Sequence, residues 1–341
     1  MNSKKLSERE IISRIRGMTQ NTLKSGKDIV KGIGDDCAVL RKSEDTVWLV
    51  TTDTLIERVH FDLRWHLPFQ LGRKAAAVNL SDIAAMGGSP VAALLSIGVI
   101  EPELPWLEDF LKGFLACLED HGALLVGGDT VKSEEGMVIS VTAIGEAGEN
   151  NVIYRSGAKV GDMLWMSGYV GEAAAGFELC RHRAETQQQI PDEWQPFMKQ
   201  HLDPEPQTLL GRHLAASGCV NAMMDISDGL ATDVAHMSTA SKVGAEIIEE
   251  YLPVSASLEA VAAFLAIPLR DLMLRGGEDY QLLFAAPVGH EQALRQVAAD
   301  KTGKEIYPIG RIVEGEGVYL VERGGERREI GYQGYDHFRR R

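Results

Sequence analysis

Gly32-Ile33-Gly34-Asp35-Asp36-Cys37-Ala38 sets two adjacent carboxylates between glycines and small residues. Glycine lets the backbone turn tightly and lets a ligand come close. Adjacent carboxylates repel one another, which favours a cation or a shared proton between them. The arrangement recurs along the chain. Asp53 lies in Thr51-Thr52-Asp53-Thr54, Asp82 in Asn79-Leu80-Ser81-Asp82, and Asp129 in Gly127-Gly128-Asp129-Thr130. Asp225 and Asp228 lie in Asp225-Ile226-Ser227-Asp228-Gly229, and Glu278 and Asp279 follow Gly276-Gly277. Acids that only solvate a surface come mixed with Lys and Arg, whereas these sit beside Gly, Ser and Thr and next to apolar runs. They read as one metal and phosphate site gathered from distant segments.

The composition agrees with such a site. The chain has 341 residues, long enough for two domains with a core each. Its net charge of −14 argues against general nucleic-acid binding, which needs a basic footprint. An acidic protein that handles phosphates must bring divalent cations, and carboxylate oxygens suit Mg²⁺ better than zinc or copper. The four cysteines, Cys37, Cys117, Cys180 and Cys219, form no CxxC pair, so neither a disulfide framework nor structural zinc is expected. The first residues are charged rather than apolar, and no window approaches about 18 uninterrupted apolar residues. The expectation is a cytoplasmic protein with no signal peptide and no membrane partner.

Residues 6–20 read as an amphipathic helix opened by a capping box of Ser7 and Glu10. The β-branched run 47–50 reads as a strand that delivers Thr51-Thr52-Asp53 at its end. Residues 69–87 read as a helix opened by Pro68 and closed by Gly87-Gly88. It carries Asn79, as a surface amide, and Asp82 on one face. Asp82 has apolar surroundings and no Lys partner, which favours a functional role. A strand over 91–99 and a helix over 105–121 precede a short buried strand, 124–126, that ends in Gly127-Gly128-Asp129-Thr130. A strand-end acid after two glycines either contacts a ligand or closes a turn. A strand over 137–147 completes the first half.

The composition changes near residue 150. Arg155 has two readings, a phosphate clamp or a salt bridge at a domain boundary. The glycine-rich stretch 168–176 lacks the Gly-Lys-Ser/Thr of a P-loop. Residues 184–206, rich in glutamine and proline, read as a surface excursion. Asp228 is either a helix cap or a ligand, Asp225 precedes any cap, and His236 reads as a packed or solvated helix residue. The remainder reads as a strand over 280–286, a helix over 289–299, strands near 305–313 and 317–321, and an aromatic tail. An aromatic there either stacks on a planar ring or packs the tail onto the body.

Taken together, GIGDDCAVL (32–40), TTDTL (51–55), HF (60–61), AVNLSDIAAMGG (77–88), GGDT (127–130), RSGAKVGD (155–162), DISDGL (225–230), GGEDY (276–280) and GYDHF (334–338) resemble the thiamine-monophosphate kinase family of the aminoimidazole-ribonucleotide-synthetase-like superfamily. They span nearly the whole chain in order. The resemblance implies an α/β (α+β) fold in two domains. Residues 1–150 would form an α/β domain that binds metal and ATP and dimerises through its sheet. Residues 151–341 would form an α+β domain that completes the nucleotide and substrate site. It also implies ATP-dependent phosphorylation of thiamine monophosphate to thiamine diphosphate with Mg²⁺, in a homodimer. By matching motif positions, Asp36, Thr51, Thr52, Asp53, Asp82, Asp129, Asp225 and Asp228 are the implied metal ligands. Gly128, Asp129, Arg155 and Ser227 are the implied ATP contacts. His60, Glu278 and Tyr332 are the implied contacts to the thiamine phosphate. No covalent or general-base residue is implied.

Relatives within the superfamily make different demands. A selenophosphate synthetase would need a reactive Cys or selenocysteine in a glycine-rich N-terminal segment, and here the first Cys is Cys37, inside the acidic motif. A hydrogenase-maturation relative would need a C-terminal cysteine, and this chain ends Phe338-Arg339-Arg340-Arg341. A catalytically silent nucleotide-binding module need not keep the whole acidic set.

Overall fold

The computed structural model describes residues 6–23, 26–101 and 103–338. Helix α1 (Glu8–Leu23) starts with the expected capping box: the Ser7 N–H donates to Glu10 Oε2 at 2.9 Å, and the Glu10 N–H to Ser7 Oγ at 3.4 Å. The first half then runs β1 (Ile29–Lys31), β2 (Ala38–Arg41), β3 (Thr46–Ile56), α2 (Pro68–Ala85), β4 (Ser89–Val99), α3 (Leu104–Asp120), β5 (Leu124–Lys132) and β6 (Val138–Gly148). Its strands form one six-stranded sheet in the order β1-β2-β3-β6-β4-β5, antiparallel except where β4 meets β5.

The second half contains β7 (Met163–Met166), α4 (Glu172–Thr186), α5 (Gln195–Leu202), α6 (Thr208–Ala216), β8 (Ala222–Asp225), α7 (Leu230–Ser241) and β9 (Gly244–Ile248). It continues with α8 (Leu258–Leu265), α9 (Leu269–Arg275), β10 (Leu282–Ala286), α10 (Glu291–Thr302), β11 (Tyr307–Val313), β12 (Val318–Val321) and β13 (Arg327–Glu329). These strands form a seven-stranded sheet in the order β13-β12-β9-β11-β7-β10-β8. The molecule is thus a mixed α/β structure of two sheets with helices packed on them.

Alternation along the first sheet decides what it presents to each side. Val47, Leu49 and Leu55 of β3, Ala93, Leu95 and Ile97 of β4, and Ile139, Val141 and Ala143 of β6 are buried in one core with α2 and α3. The opposite face carries Thr52, Thr54 and Leu94, all exposed. Helix α2 lies against both halves. A Cβ on Gly72 would sit 2.0 Å from the Phe110 carbonyl oxygen, so α2 and α3 cross at backbone distance. On its other side, Ala84 and Ala85 pack with Leu210 and Leu214 of α6 in a core shared with β8 and β10.

Five details depart from the sequence reading. The strand predicted over 47–50 continues to Ile56, so Thr51 and Asp53 lie within β3 rather than at its end. Strand β5 is an exposed sheet edge and not a buried strand, with Leu124 70% and Val126 61% exposed. Asn79 is 1% exposed and belongs to the core side of α2 rather than its surface. Residues 184–206 are not a surface excursion: α5 buries Phe197, Met198, His201 and Leu202 against α4. Its apolar positions were too few and too interrupted by Gln and Pro to register as a helical stripe. Strand β13, short and fully charged, was also not anticipated.

Candidate active site

The acidic set is assembled by three segments that converge on α2. The turn after β1 supplies Asp35 and Asp36, β3 supplies Thr51 and Asp53 on its core face, and β8 ends on Asp225. Oxygens of Asp36, Asp82 and Asp225 lie within 4.8 Å of one another. Neighbouring hydroxyls aim these carboxylates. Thr51 Oγ1 donates to Asp82 Oδ2 at 2.5 Å, and Ser81 Oγ donates to Asp225 Oδ2 at 2.5 Å. Asn79, anchored through its amide on the Ala75 carbonyl at 3.2 Å, accepts the Asp53 N–H at 2.9 Å and so ties β3 to α2. Arg155 Nη2 donates to Asp36 Oδ1 at 2.5 Å, and its N–H donates to Asp35 Oδ1 at 2.9 Å. Asp36 Oδ2 is buried with no hydrogen-bond partner among the described residues.

The electrostatics of the cluster follow from that crowding. Burial raises the Asp36 carboxyl to about 6, against the pull of Arg155 and with repulsion from Asp35 added. Burial, then repulsion from Asp36, raises Asp225 to about 7. Asp82 is pushed well above the usual carboxylate range by burial and by Asp53 and Asp225, and Asp53 is raised by burial. Buried anions that repel one another, with one oxygen left unpartnered, form a donor set suited to a divalent cation. Their hard oxygens fit Mg²⁺. Cys37, 2% exposed beside them, has its thiol pushed up first by burial and next by Asp82, so it is an inert packing residue.

A second acidic group adjoins the first. Asp233 Oδ2 accepts the backbone N–H groups of Ser227, Asp228 and Gly229 at 3.1, 3.2 and 3.1 Å, which fixes the loop that carries Asp225 and Asp228. Asp228 makes no side-chain cap to α7. Ligand atoms of Asp228, Asp233 and His236 also lie within 4.8 Å of one another. Burial, then Glu8, raises Asp228 to about 7, and burial lowers His236 to about 4. A cavity of about 60 Å³ opens here, lined by Glu8, Arg9, Asp228, Thr232, His236 and Tyr332 among others.

The residues implied for the thiamine phosphate fall in two places. His60 and Glu278 meet around Lys74 of α2, whose Nζ lies 3.0 Å from Glu278 Oε2 and 3.3 Å from the His60 carbonyl oxygen. His201 of α5 brings Nδ1 to 3.0 Å from the same Oε2. Tyr332 instead packs on α7. Its hydroxyl is 2.8 Å from Thr239 Oγ1, its ring meets His236 edge-on at 5.3 Å, and the Arg9 guanidinium sits 3.5 Å above it.

Two implied ligands face away. Cross-strand partners share a sheet face. Asp53 is in register with Val141, Leu95 and Gly128, and the next row, on the opposite face, holds Thr54, Ser140, Ser96 and Asp129. Asp129 therefore projects from the exposed face, as does Thr52, whose Oγ1 donates to the Val141 carbonyl. Gly128 belongs to the Asp53 row and packs on the Leu95 backbone, where a Cβ would lie 1.8 Å from its carbonyl oxygen. Asp279, grouped with the acids by sequence, accepts the N–H groups of Gly171 and Ala173 at 2.8 and 3.1 Å and so holds the start of α4. Sequence reasoning missed Lys74, His201 and Asp233. A lone lysine in the alanine-rich run 73–77 was the available signal for the first.

A separate cavity of about 430 Å³ touches none of these residues and is lined by Asp120, His121, Glu205, Gln207, Arg212 and Lys304 among others. Among the described residues no helix is long and apolar enough to cross a membrane.

Comparison with known proteins identifies the family. The family model of the AIR synthase related protein N-terminal domain matches residues 34–147, and that of its C-terminal domain matches residues 159–322. Thiamine-monophosphate kinase of Salmonella typhimurium is 36% identical over 315 residues, covering 91% of this chain and 93% of its own. The crystal structure of the thiamine-monophosphate kinase from Stenotrophomonas maltophilia superposes with a TM-score of 0.75 at 36% identity, over 93% of this chain and 96% of that one. AaThiL complexed with AMPPCP and TMP superposes with a TM-score of 0.83 at 33% identity, over 99% of both chains. With two AIR-synthase-type domains matched in order and relatives covered almost end to end, this chain belongs to the thiamine-monophosphate kinase family.

Proposed function

We propose that the protein transfers the γ-phosphoryl group of ATP to thiamine monophosphate, forming thiamine diphosphate and ADP, with Mg²⁺ held by the acidic cluster. The convergence of Asp36, Asp82 and Asp225 within 4.8 Å, with one buried oxygen unpartnered, carries this reading. The relatives' names and a neighbour solved with AMPPCP and TMP support the substrates.

In the reaction the bond from the γ-phosphorus to the β,γ-bridging oxygen breaks, and a new bond forms to a phosphate oxygen of the acceptor. That oxygen is already ionised near neutral pH, with a second phosphate pKa of about 6, so no general base is required. The obstacle is the approach of two anions. Bound divalent ions would screen that repulsion and take up charge in a loose transition state. The chain's own residues do the positioning. Asp36, Thr51, Asp53, Asp82, Asp225 and Asp228 would supply the oxygens of the metal set, while Arg155 and the Gly128 and Ser227 backbones would border the nucleotide. Transfer is direct and in line, without a phosphoenzyme. Thr52 and Asp129 lie on the exposed sheet face, together with Leu94 and Val131, and that face is where a second copy of the chain would pack to make a homodimer.

The test is coupled ADP release with Mg·ATP, comparing thiamine monophosphate with thiamine, each with and without excess EDTA. Turnover that requires both the monophosphate and the metal is expected. Release of ADP with thiamine but not with the monophosphate would overturn the substrate assignment. A phosphorylated enzyme trapped by rapid quench before product forms would overturn direct transfer.

A further inference from the structure

Glu278 is held in an unusual way. Its backbone has φ +65°, a left-handed conformation that a residue with a side chain rarely adopts, and its N–H donates to the Ser227 carbonyl at 2.8 Å. Lys74 Nζ and His201 Nδ1 address the same carboxylate oxygen, Oε2, each at 3.0 Å. No hydrogen bond or ion pair among the described residues takes Oε1, and the side chain keeps 26% of its surface exposed. One oxygen is clamped from inside and the other is presented outward.

The clamp is built from both halves of the molecule. Lys74 comes from α2 and is 0% exposed; His201 comes from α5 and is 2% exposed. The His201 ring is fixed in turn by edge contacts with His66 at 5.1 Å and Phe177 at 5.4 Å. A lysine with no surface cannot serve solvation, and its stem fills a slot in an otherwise alanine-lined helix. The Lys74 ammonium cancels the Glu278 charge, so the outward oxygen is an oriented acceptor rather than a free anion that would repel a phosphate.

We propose that Lys74 and His201 are positioning residues for the acceptor substrate. They fix Glu278 so that Oε1 receives a donor or the positive ring of a cationic heteroaromatic phosphate ester, and they leave the nucleotide end untouched. The inference rests on the kinase reading above and names the device that selects its acceptor.

The experiment measures dissociation constants for thiamine monophosphate and, separately, for Mg·ADP, in the wild type and in His201→Leu, His201→Asn and Lys74→Met. The amide nitrogen of Asn stands where Nδ1 stands. Loss of the Lys74 hydrogen bond, or of the His201 contact at 3.0 Å, frees Glu278 to turn and predicts that His201→Leu and Lys74→Met weaken thiamine monophosphate about tenfold or more. Mg·ADP should stay within about twofold, and His201→Asn should recover most of the loss. Equal weakening of both ligands, or an unchanged acceptor constant in a folded variant, overturns the proposal. So does a His201→Asn variant no better than His201→Leu. If Lys74→Met does not fold, the two His201 variants decide alone. A wild type that binds Mg·ADP but no thiamine monophosphate overturns the kinase reading, and this inference with it. Wild-type binding with unaffected variants overturns the inference only.

Discussion

Ser81, on α2 of the first half, donates its hydroxyl to Asp225, at the end of β8 of the second, with 2.5 Å between oxygens and both residues nearly fully buried. This bond spans the junction of the two sheets and aims a cluster carboxylate. Removing it should act on metal binding more than on the fold. Partners that orient metal ligands typically contribute about 10–100-fold in affinity. Ser81→Ala is therefore expected to raise the Mg²⁺ concentration needed for half-maximal activity by about tenfold. A Mg²⁺ titration of ATP turnover checks this, and an unchanged half-saturation point would show that Asp225 is aimed by something else.

The cluster's charge state makes the effect of metal depend on pH. Asp36, Asp225 and Asp228 are raised from 3.8 to about 6, 7 and 7, mainly by burial. A raised folded-state value means that the folded chain keeps protons the unfolded chain has already lost. The stability so contributed is fully present below 3.8 and is lost as pH rises through 6 to 7. Above that window the apo protein holds repelling anions, which a divalent ion relieves. The rise in thermal midpoint on adding saturating Mg²⁺ should thus be larger at about pH 8 than at about pH 6, where protons compete for the same oxygens. A rise that is equal or larger at the lower pH would contradict the metal assignment.

Asp53 and Asp129 separate two kinds of loss. Asp53 shares the buried face with Asp82, whereas Asp129 projects from the exposed face of an edge strand. Asp53→Asn should lower turnover by about two orders of magnitude or more while leaving the metal-free thermal midpoint unchanged or higher, since it removes a buried, repelling charge. It should also shrink the Mg²⁺-induced rise. Asp129→Asn should leave that rise intact. Calorimetry of both variants with and without Mg²⁺ decides, and a lost metal response in Asp129→Asn would place that carboxylate in the set.

Much of this site was legible because its residues carry local signals. The repeated pairing of Gly, Ser or Thr with Asp marked Asp36, Asp53, Asp82, Asp225 and Asp228 before any coordinates, and the capping box at Ser7 and Glu10 fixed the start of α1. Faces were harder. A period-2 reading places Thr51 and Asp53 together only if the strand extends past residue 50, and the apolar run that announced β3 stopped short of it. The bulge between Leu125 and Gly127 changes the register of β5, which turns Asp129 outward in a way no spacing rule anticipates. His201 was hidden for a different reason: a histidine in a Gln- and Pro-rich stretch looks solvated until α4 is known to pack on it. Lys74 was not singled out, because burial of a charge is visible only with its partner 204 positions away.

Asp233 tests how the Asp225–Asp228 loop is held. One carboxylate oxygen satisfies three backbone N–H groups, at residues 227 to 229. Asp233→Ala leaves all three without that acceptor, at a cost of about 1–3 kcal/mol for each that finds no water. Destabilisation of several kcal/mol is expected, with activity lost in parallel. Asp233→Asn keeps an acceptor oxygen and should retain most of the stability. Urea unfolding of the two variants checks the contrast, and equal midpoints would mean that the loop stands without this bond.

The position of α2 governs the whole assembly, since it carries Lys74, Asn79, Ser81 and Asp82 on a single rigid element. Its close crossing with α3 depends on Gly72, where a Cβ would lie 2.0 Å from the Phe110 carbonyl oxygen and 2.7 Å from the Phe114 nitrogen. Both neighbours are backbone, so they cannot give way by changing rotamer, and the helices must separate. Gly72→Ala is expected to cost more than about 3 kcal/mol, at the upper end for overpacking, and to lower activity by shifting α2. Gly17 in α1 has open space around it, and Gly17→Ala there should stabilise by about 0.4–1 kcal/mol through the unfolded chain and helix propensity. Opposite signs for the same Gly→Ala change, read from chemical denaturation, would locate the effect of Gly72 in the helix crossing. A Gly72→Ala variant as stable as the wild type would show that α2 can move without cost, and the site's geometry would then have to be set by its hydrogen bonds alone.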